Sequence, residues 1–368
     1  MSDLSRIAAA SLLLATVALV PMAASAESQR FIPDIIISST IPANGDVNPY
    51  GVAFVPSNFP KGGAIAPGDI LVSNFNNSGN TQGTGTTIIK LTPNGSIAPA
   101  GSASTFFTST PIGLTTALGV LQGGFVLVGN VPTSGGVIQA GSLQIVDRSG
   151  NHVALFTNQL NDPWDLTIYE QSNNSTVFVS NVNGDAKKNK NGSVTRLNLI
   201  ISSAGISVTG TTVIARGYTV EPNAAALVLG PTGLAYDATT DTLFVASTAD
   251  NAIFAVPNAG NRTGSAGTGN VIFKDDHLHG PLALAFAPNG DLITSNGDAV
   301  NPDPTQPSEI VEFTKSGEFV GQFNVDAGQG GAFGIAIALV GGDTARLAAV
   351  DDNTNSLIVI DQKVVPGG

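Results

Sequence analysis

The strongest constraint on this chain is a phrase that returns about every 50–70 residues, the spacing of architectures assembled from repeated supersecondary units. Each phrase opens with Pro, one variable residue, usually Gly, and then alternating apolar residues. It reads Pro49-Tyr50-Gly51-Val52-Ala53-Phe54, Pro111-Ile112-Gly113-Leu114, Pro163-Trp164-Asp165-Leu166, Pro231-Thr232-Gly233-Leu234-Ala235-Tyr236 and Pro281-Leu282-Ala283-Leu284-Ala285-Phe286. A sixth copy, Ala332-Phe333-Gly334-Ile335-Ala336-Ile337, lacks the Pro. After a turn, each copy continues into a second β-rich run that ends in a small polar residue, over residues 70–74, 126–130, 177–181, 243–247, 292–296 and 347–351. Third runs follow at 87–91, 142–146, 193–197, 251–255, 309–313 and 356–360. Most of these lead through a Gly-containing turn, such as Lys315-Ser316-Gly317, into a fourth strand such as 319–323. Each repeat therefore specifies a four-stranded antiparallel blade, and six repeats specify an all-β, six-bladed propeller.

Composition agrees with that assignment. In 368 residues there are 43 glycines and 21 prolines, with only 11% charged residues, which suits many short strands joined by tight turns. The last repeat ends soon after its third strand, leaving an open edge. Ile35-Ile36-Ile37-Ser38-Ser39 belongs to no repeat and is expected to close the last blade beside residues 357–360.

At the start, Arg6 precedes an apolar run over 7–20 that stops at Pro21 and is followed by Ala24-Ser25-Ala26. This order predicts a signal peptide over 1–26 and one propeller domain over 27–368, so the protein is expected to be secreted or periplasmic. The formal charge of −12, with no basic run, argues against nucleic acid and anionic membrane as partners. The absence of cysteine excludes disulfides, thiolate metal sites and a cysteine nucleophile.

The phrase over 231–251, with Gly233-Leu234-Ala235-Tyr236-Asp237, then Thr242-Leu243-Phe244-Val245-Ala246, then Asp250-Asn251, resembles the NHL repeat and the wider group of six-bladed propellers. That group includes calcium-dependent lactonases of the gluconolactonase and paraoxonase type, strictosidine-synthase-like enzymes, lyases and non-catalytic interaction platforms. In the lactonase-like members the resemblance implies metal ligands at the variable position of each first-strand phrase. Those positions here are Tyr50, Ile112, Trp164, Thr232, Leu282 and Phe333, with two hydroxyls and no carboxylate or amide, so no channel calcium and no cofactor are expected.

Other candidate groups are sparse. His277 and His279 flank Leu278 and read as a surface loop, His152 sits beside a turn, and Asp185 lies in a polar loop without the spacing of a calcium site. No Ser-His-Asp signature is present. Because neighbouring strands of a blade run antiparallel, first-strand starts and second-strand ends share one face. The expected ligand mouth therefore combines Tyr50, Trp164, Asp165, Thr232 and Phe333 with a rim of Asn74, Asn130, Asn181, Asn296 and Asp351, Ser247 standing at the equivalent rim position. One reading of this mouth is a plug with backbone-satisfying amides; the other is a site for neutral polar ligands. With the metal site of its relatives missing, the chain is expected to be a monomeric, non-catalytic module that binds an exported protein, peptide or glycan. The alternative is a hydrolase or lyase of the gluconolactonase and strictosidine-synthase-like group, with Asp165, Asp351 or Asp352 as acid or base.

Overall fold

A computed structural model describes residues 35–92, 97–183, 187–202, 205–297 and 309–364. The expected signal peptide and Asp185 lie outside the described residues. Among the described residues there is no α-helix; strands and turns account for the regular structure. Six antiparallel sheets follow one another in chain order. Blade I comprises Val47–Phe54, Ile70–Asn76, Thr87–Leu91 and Ser104–Thr108, and blade II comprises Leu114–Leu121, Phe125–Asn130, Ser142–Asp147 and His152–Phe156. Blade III has Pro163–Gln171, Asn174–Asn181, Asn189–Ser202 and Gly205–Asn223, with the short strand Leu227–Leu229 added to the last of these. Blade IV has Pro231–Asp237, Thr242–Ser247, Ala252–Pro257 and Asn270–Phe273, and blade V has Pro281–Phe286, Leu292–Asn296, Glu309–Phe313 and Phe319–Asn324. Blade VI has Ala332–Gly341, Thr344–Asp351 and Ser356–Lys363, and Ile35–Ser39 pairs antiparallel with the last of these, Ile37 opposite Ile358.

The second strand of each blade reads as a continuous apolar run because both of its faces are buried. In blade III, Val177 and Val179 pack toward blade II while Phe178 packs toward blade IV. In blade IV, Leu243 and Val245 pack back onto blade III while Phe244 and Ala246 pack onto blade V. The core is thus divided into clusters that sit one at each junction between blades, and that of blades VI and I also contains the residues at the ring centre. Each buried Leu, Val or Ile contributes about 1.5–3 kcal/mol, and removing one loosens two blades at once.

Every innermost strand carries a bulge near its start, after the first residue in blades II to VI and after the third, Pro49, in blade I. The register breaks between Pro49 and Val52, Leu114 and Leu118, Pro163 and Asp165, Pro231 and Leu234, Pro281 and Leu284, and Ala332 and Ile335. A bulge leaves a residue unpaired and re-aims its side chain. Pro49, Pro163, Pro231, Pro281 and Ala332 pair with Asn74, Asn181, Ser247, Asn296 and Asp351, and in blade II the residue paired with Asn130 is Leu114. Blade II is therefore offset from its sequence phrase. Ile112 lies ahead of the strand, and Thr115 and Thr116 occupy the bulge.

Candidate functional site

The bulged residues meet at the centre of the ring. Tyr50 packs edge-on to Phe333 (ring centroids 4.8 Å apart) and to Trp164 (5.9 Å), and Phe75 of the second strand of blade I completes the group at 4.8 Å from Tyr50 and 5.6 Å from Trp164. Edge-to-face pairs of this kind each add about 0.5–1.5 kcal/mol beyond burial. Leu282 and Thr232 are buried as well. Trp164, expected from the sequence to be partly accessible, is 1% exposed. Its indole Nε1–H has no hydrogen-bond partner among the described residues, and an unsatisfied buried donor costs about 1–3 kcal/mol.

The rim residues are buried too, and most of them fasten the loop that leads into their own blade. Asn74 donates to Thr40 O (3.1 Å), Asn130 to Ile112 O (3.3 Å) and Asn296 to His277 O (2.9 Å), and Asn181 accepts from Asn161 N–H (2.9 Å). Asp351 caps its turn, accepting from Asn353 N–H (3.0 Å) and the Thr354 hydroxyl (2.5 Å), and Ser247 donates to Asp250 (2.8 Å). These groups hold the entry loops; the structure places no open amide rim around the aromatic cluster.

The inner ring is laced by hydroxyls that the sequence reading missed. Backbone N–H groups of Gly51, Asp165 and Ala283 donate to Ser73 (2.9 Å), Ser180 (3.0 Å) and Ser295 (3.1 Å), which makes these three positions equivalent. Ser73 then donates to Thr115 O of blade II (2.8 Å), and Ser295 donates to Phe333 O of blade VI. Thr115 donates to Pro163 O of blade III (2.9 Å), Thr116 to Trp164 O, and Thr248 of blade IV to Pro281 O of blade V (2.7 Å). A signal was present in the sequence: Ser-Asn recurs at 73–74, 180–181 and 295–296, where the rim amide drew attention away from the serine beside it.

Glycine at this level is a close-approach requirement. A Cβ on Gly51 would lie 2.8 Å from Thr116 O, one on Gly233 would collide with the backbone of Ala283 and Leu284, and one on Gly334 would collide with Tyr50 O. Blade III carries Asp165 at this position. Ser180 turns back on its own blade, reaching Asp165 O of the first strand at 3.4 Å, and among the described residues no inner-ring hydroxyl crosses from blade III to blade IV. The Asp165 side chain accepts one short-range hydrogen bond, from Leu166 N–H (2.7 Å), and has no cation beside it. Desolvation by burial raises its pKa well above the usual carboxylate range, with the Leu166 N–H opposing that shift. Asp351 is also raised by burial, but it is held by Thr354 and Asn353 in a turn. Asp352 lies in that same turn of blade VI, partly buried, where its N–H donates to Gly331 O. Asp165 is therefore a buried carboxyl at the inner end of the junction between blades III and IV, with one local hydrogen bond and a raised pKa.

The remaining candidates are scattered. His152 lies on the exposed outer strand of blade II, and His277 stacks on Phe319 and bonds Asp275. Among the described residues no group of three or more His, Cys, Asp or Glu is placed to hold a metal. The bulged positions that meet at the axis carry the hydroxyls of Tyr50 and Thr232, which do not supply the 6–8 oxygens that calcium takes.

No family model matches the chain, and no curated protein matches it in sequence. Solved structures match it in fold. A protein assigned as a gluconolactonase aligns with a TM-score of 0.52 at 14% identity, over 91% of this chain and 94% of its own. A gluconolactonase from Xanthomonas campestris gives 0.54 at 13% identity over 89% of both chains, and a luciferin-regenerating enzyme gives 0.50 at 9% identity over 91% and 98%. The expectation of a non-catalytic binding module is corrected here: the neighbours are enzymes, and the ring centre holds a perturbed carboxyl in place of a neutral, open mouth. At these identities what the chain shares with them is the fold, the six-bladed propeller of the gluconolactonase-like structures.

Proposed function

We propose that this chain is an exported hydrolase or lyase acting on a small substrate, with Asp165 as its general acid–base group. The observation that carries the reading is the Asp165 carboxyl, buried on the innermost strand of blade III with a raised pKa, no cation and one local hydrogen bond. A carboxyl that keeps its proton to higher pH than usual is suited to both giving and taking a proton near neutrality. The gluconolactonases of the same fold point to a lactone or a related ester as substrate class. In such a hydrolysis a water oxygen bonds to the carbonyl carbon and the bond to the ring or leaving oxygen breaks. Ionised Asp165 takes the water proton and returns it to the leaving oxygen, ending as it began. The unpartnered Trp164 N–H is available to the developing oxyanion. Export is supported by the order Arg6, apolar 7–20, Ala24-Ser25-Ala26.

The test is turnover of a panel of aliphatic and sugar lactones and aryl esters by the wild type and Asp165→Asn, with circular dichroism on both. Hydrolysis that falls by about a hundredfold or more in a folded Asp165→Asn supports the assignment. A fully active Asp165→Asn removes Asp165 from the chemistry, and a wild type inert on every member of the panel removes the lactone and ester class.

A further inference from the structure

One segment packs over the ring centre from the junction between blades III and IV. Between most successive blades the chain passes from outer strand to next inner strand by a short loop. Between blades III and IV, the outer strand Gly205–Asn223 runs on past its ladder with the third strand, which ends at the Asn189–Val220 pair, and folds back through Leu227–Leu229. In this hairpin Glu221 pairs with Leu229 and Asn223 with Leu227. Its apolar side chains point into the molecule: Val220 and Val228 are buried in the same cluster as Tyr50, Trp164 and Phe333, with Leu227 packed against it. At the tip, Ala225 O accepts a hydrogen bond from the Gln82 side chain of blade I. Blade I stands across the ring from blade IV, so the hairpin spans the mouth as a strap, leaving junction III–IV and anchored on the far side.

The polar anchorage of the tip is slight, while the base of the strap is held by Thr219 on Asp250 and by Glu221 on Lys188. The tip is Asn223 followed by three alanines, organised by Asn223 Oδ1, which accepts from Ala225 N–H (2.7 Å) and Ala226 N–H (3.0 Å). Gln82 supplies the polar tether to the far side, and a shallow cleft lined by Thr81, Gln82, Gly136 and Asn223 separates the tip from blades I and II. Leu227, at the start of the returning strand, has φ of 63°, a left-handed backbone that a bulky side chain holds only at a cost. Beneath the strap lies Trp164, whose Nε1–H has no partner among the described residues, on the innermost strand that also carries Asp165.

We infer that the strap over residues 219–229 is a lid that opens about its two strands to admit substrate to Trp164 and Asp165 and closes to exclude water. The substrate half of this inference rests on the hydrolase reading; the opening itself does not. Trp164 is the sole tryptophan and the chain has no cysteine, so both can be probed cleanly. Gln82→Cys and Ala225→Cys are introduced together and joined by a reducible bis-maleimide, and Trp164 fluorescence is titrated with acrylamide before linking, after linking and after cleavage. Linking is expected to lower the quenching constant by about threefold or more and lactone turnover by about tenfold or more, with both recovering on cleavage. Leu227→Gly, which relaxes the left-handed turn and removes a covering side chain, is expected to raise quenching in an otherwise native protein. Quenching that is the same linked and unlinked, together with no rise in Leu227→Gly, overturns the lid. Quenching that responds while no lactone is turned over leaves the lid standing and removes the hydrolase reading; turnover lost in Asp165→Asn with unresponsive quenching does the reverse.

Discussion

The junction between blades III and IV differs from the junction between blades V and VI in what closes the inner ring. At V–VI, Ser295 takes the Ala283 N–H and passes a hydrogen bond to Phe333 O of the next blade. At III–IV the equivalent serine, Ser180, takes the Asp165 N–H but returns to the innermost strand of its own blade, and a carboxylate stands where blades I, IV and VI have Gly and blade V has Ala. The first junction is arranged for rigidity: small residues let backbones approach and Ser295 ties one blade to the next. The second gives up that closure to hold an acid out of water, beside an indole N–H without an acceptor. Local departures from a repeated rule that bring no stability are where function is to be sought.

Four measurements can break or sharpen this contrast. Trp164→Ala is expected to have the largest effect, a loss of about 3–5 kcal/mol in urea unfolding, because a fully buried aromatic leaves a cavity among Tyr50, Phe75 and the strap. A loss below about 1 kcal/mol would mean that the indole is a platform open to solvent. Next come Gly233→Ala and Gly334→Ala, each expected to cost about 1–3 kcal/mol through collision with the neighbouring backbone. Asp165→Gly, which restores the residue of blades I, IV and VI, is expected to fall well short of that cost. Equal losses at all three positions would erase the distinction between junctions.

Asp165→Asn is expected to stabilise the protein at pH 8 by about 1–3 kcal/mol, the usual penalty of an uncompensated buried polar group. The sign follows from its raised pKa: the stability contributed by the protonated carboxyl is present below the unfolded pKa and lost as pH rises through the folded one. Melting temperatures of the two proteins should therefore converge in acid and separate with rising pH. A gap that stays constant from pH 4 to pH 8 counts against a buried, titrating Asp165. The smallest effect is expected from the serines. Ser295→Ala should cost about 1–2 kcal/mol for two lost hydrogen bonds, and Ser180→Ala about 0.5–1 kcal/mol because its second bond is long and internal to the blade.

Much of the molecule was legible in one dimension. The Pro-x-Gly phrases mark the innermost strands because the inner ring needs small residues and a bulge at one level, and that need recurs with each blade. The offset in blade II was not legible, because Pro111-Ile112-Gly113 imitates the phrase while the bulge falls on Thr115 and Thr116. The rim amides were legible as groups that could satisfy the backbone, but their partners were not, since these, such as Thr40 O for Asn74, arrive from elsewhere in the chain. The strap was hidden as well: Val220, Val228 and the alanines between them read as one more β-rich connection.

The sequence by itself determined the blade count, the strand order within each blade and the one blade in which Asp165 replaces a small residue, because period and alternation are local properties of a chain. Tertiary structure alone decided that the axial aromatics are a buried core instead of an open mouth, and that the hairpin after blade III lies across it. Burial at a ring centre is set by how six separate strands converge and by what passes over them. No stretch of sequence carries that information, because the contacts that remove Trp164 and Asp165 from water come from blades far from them along the chain.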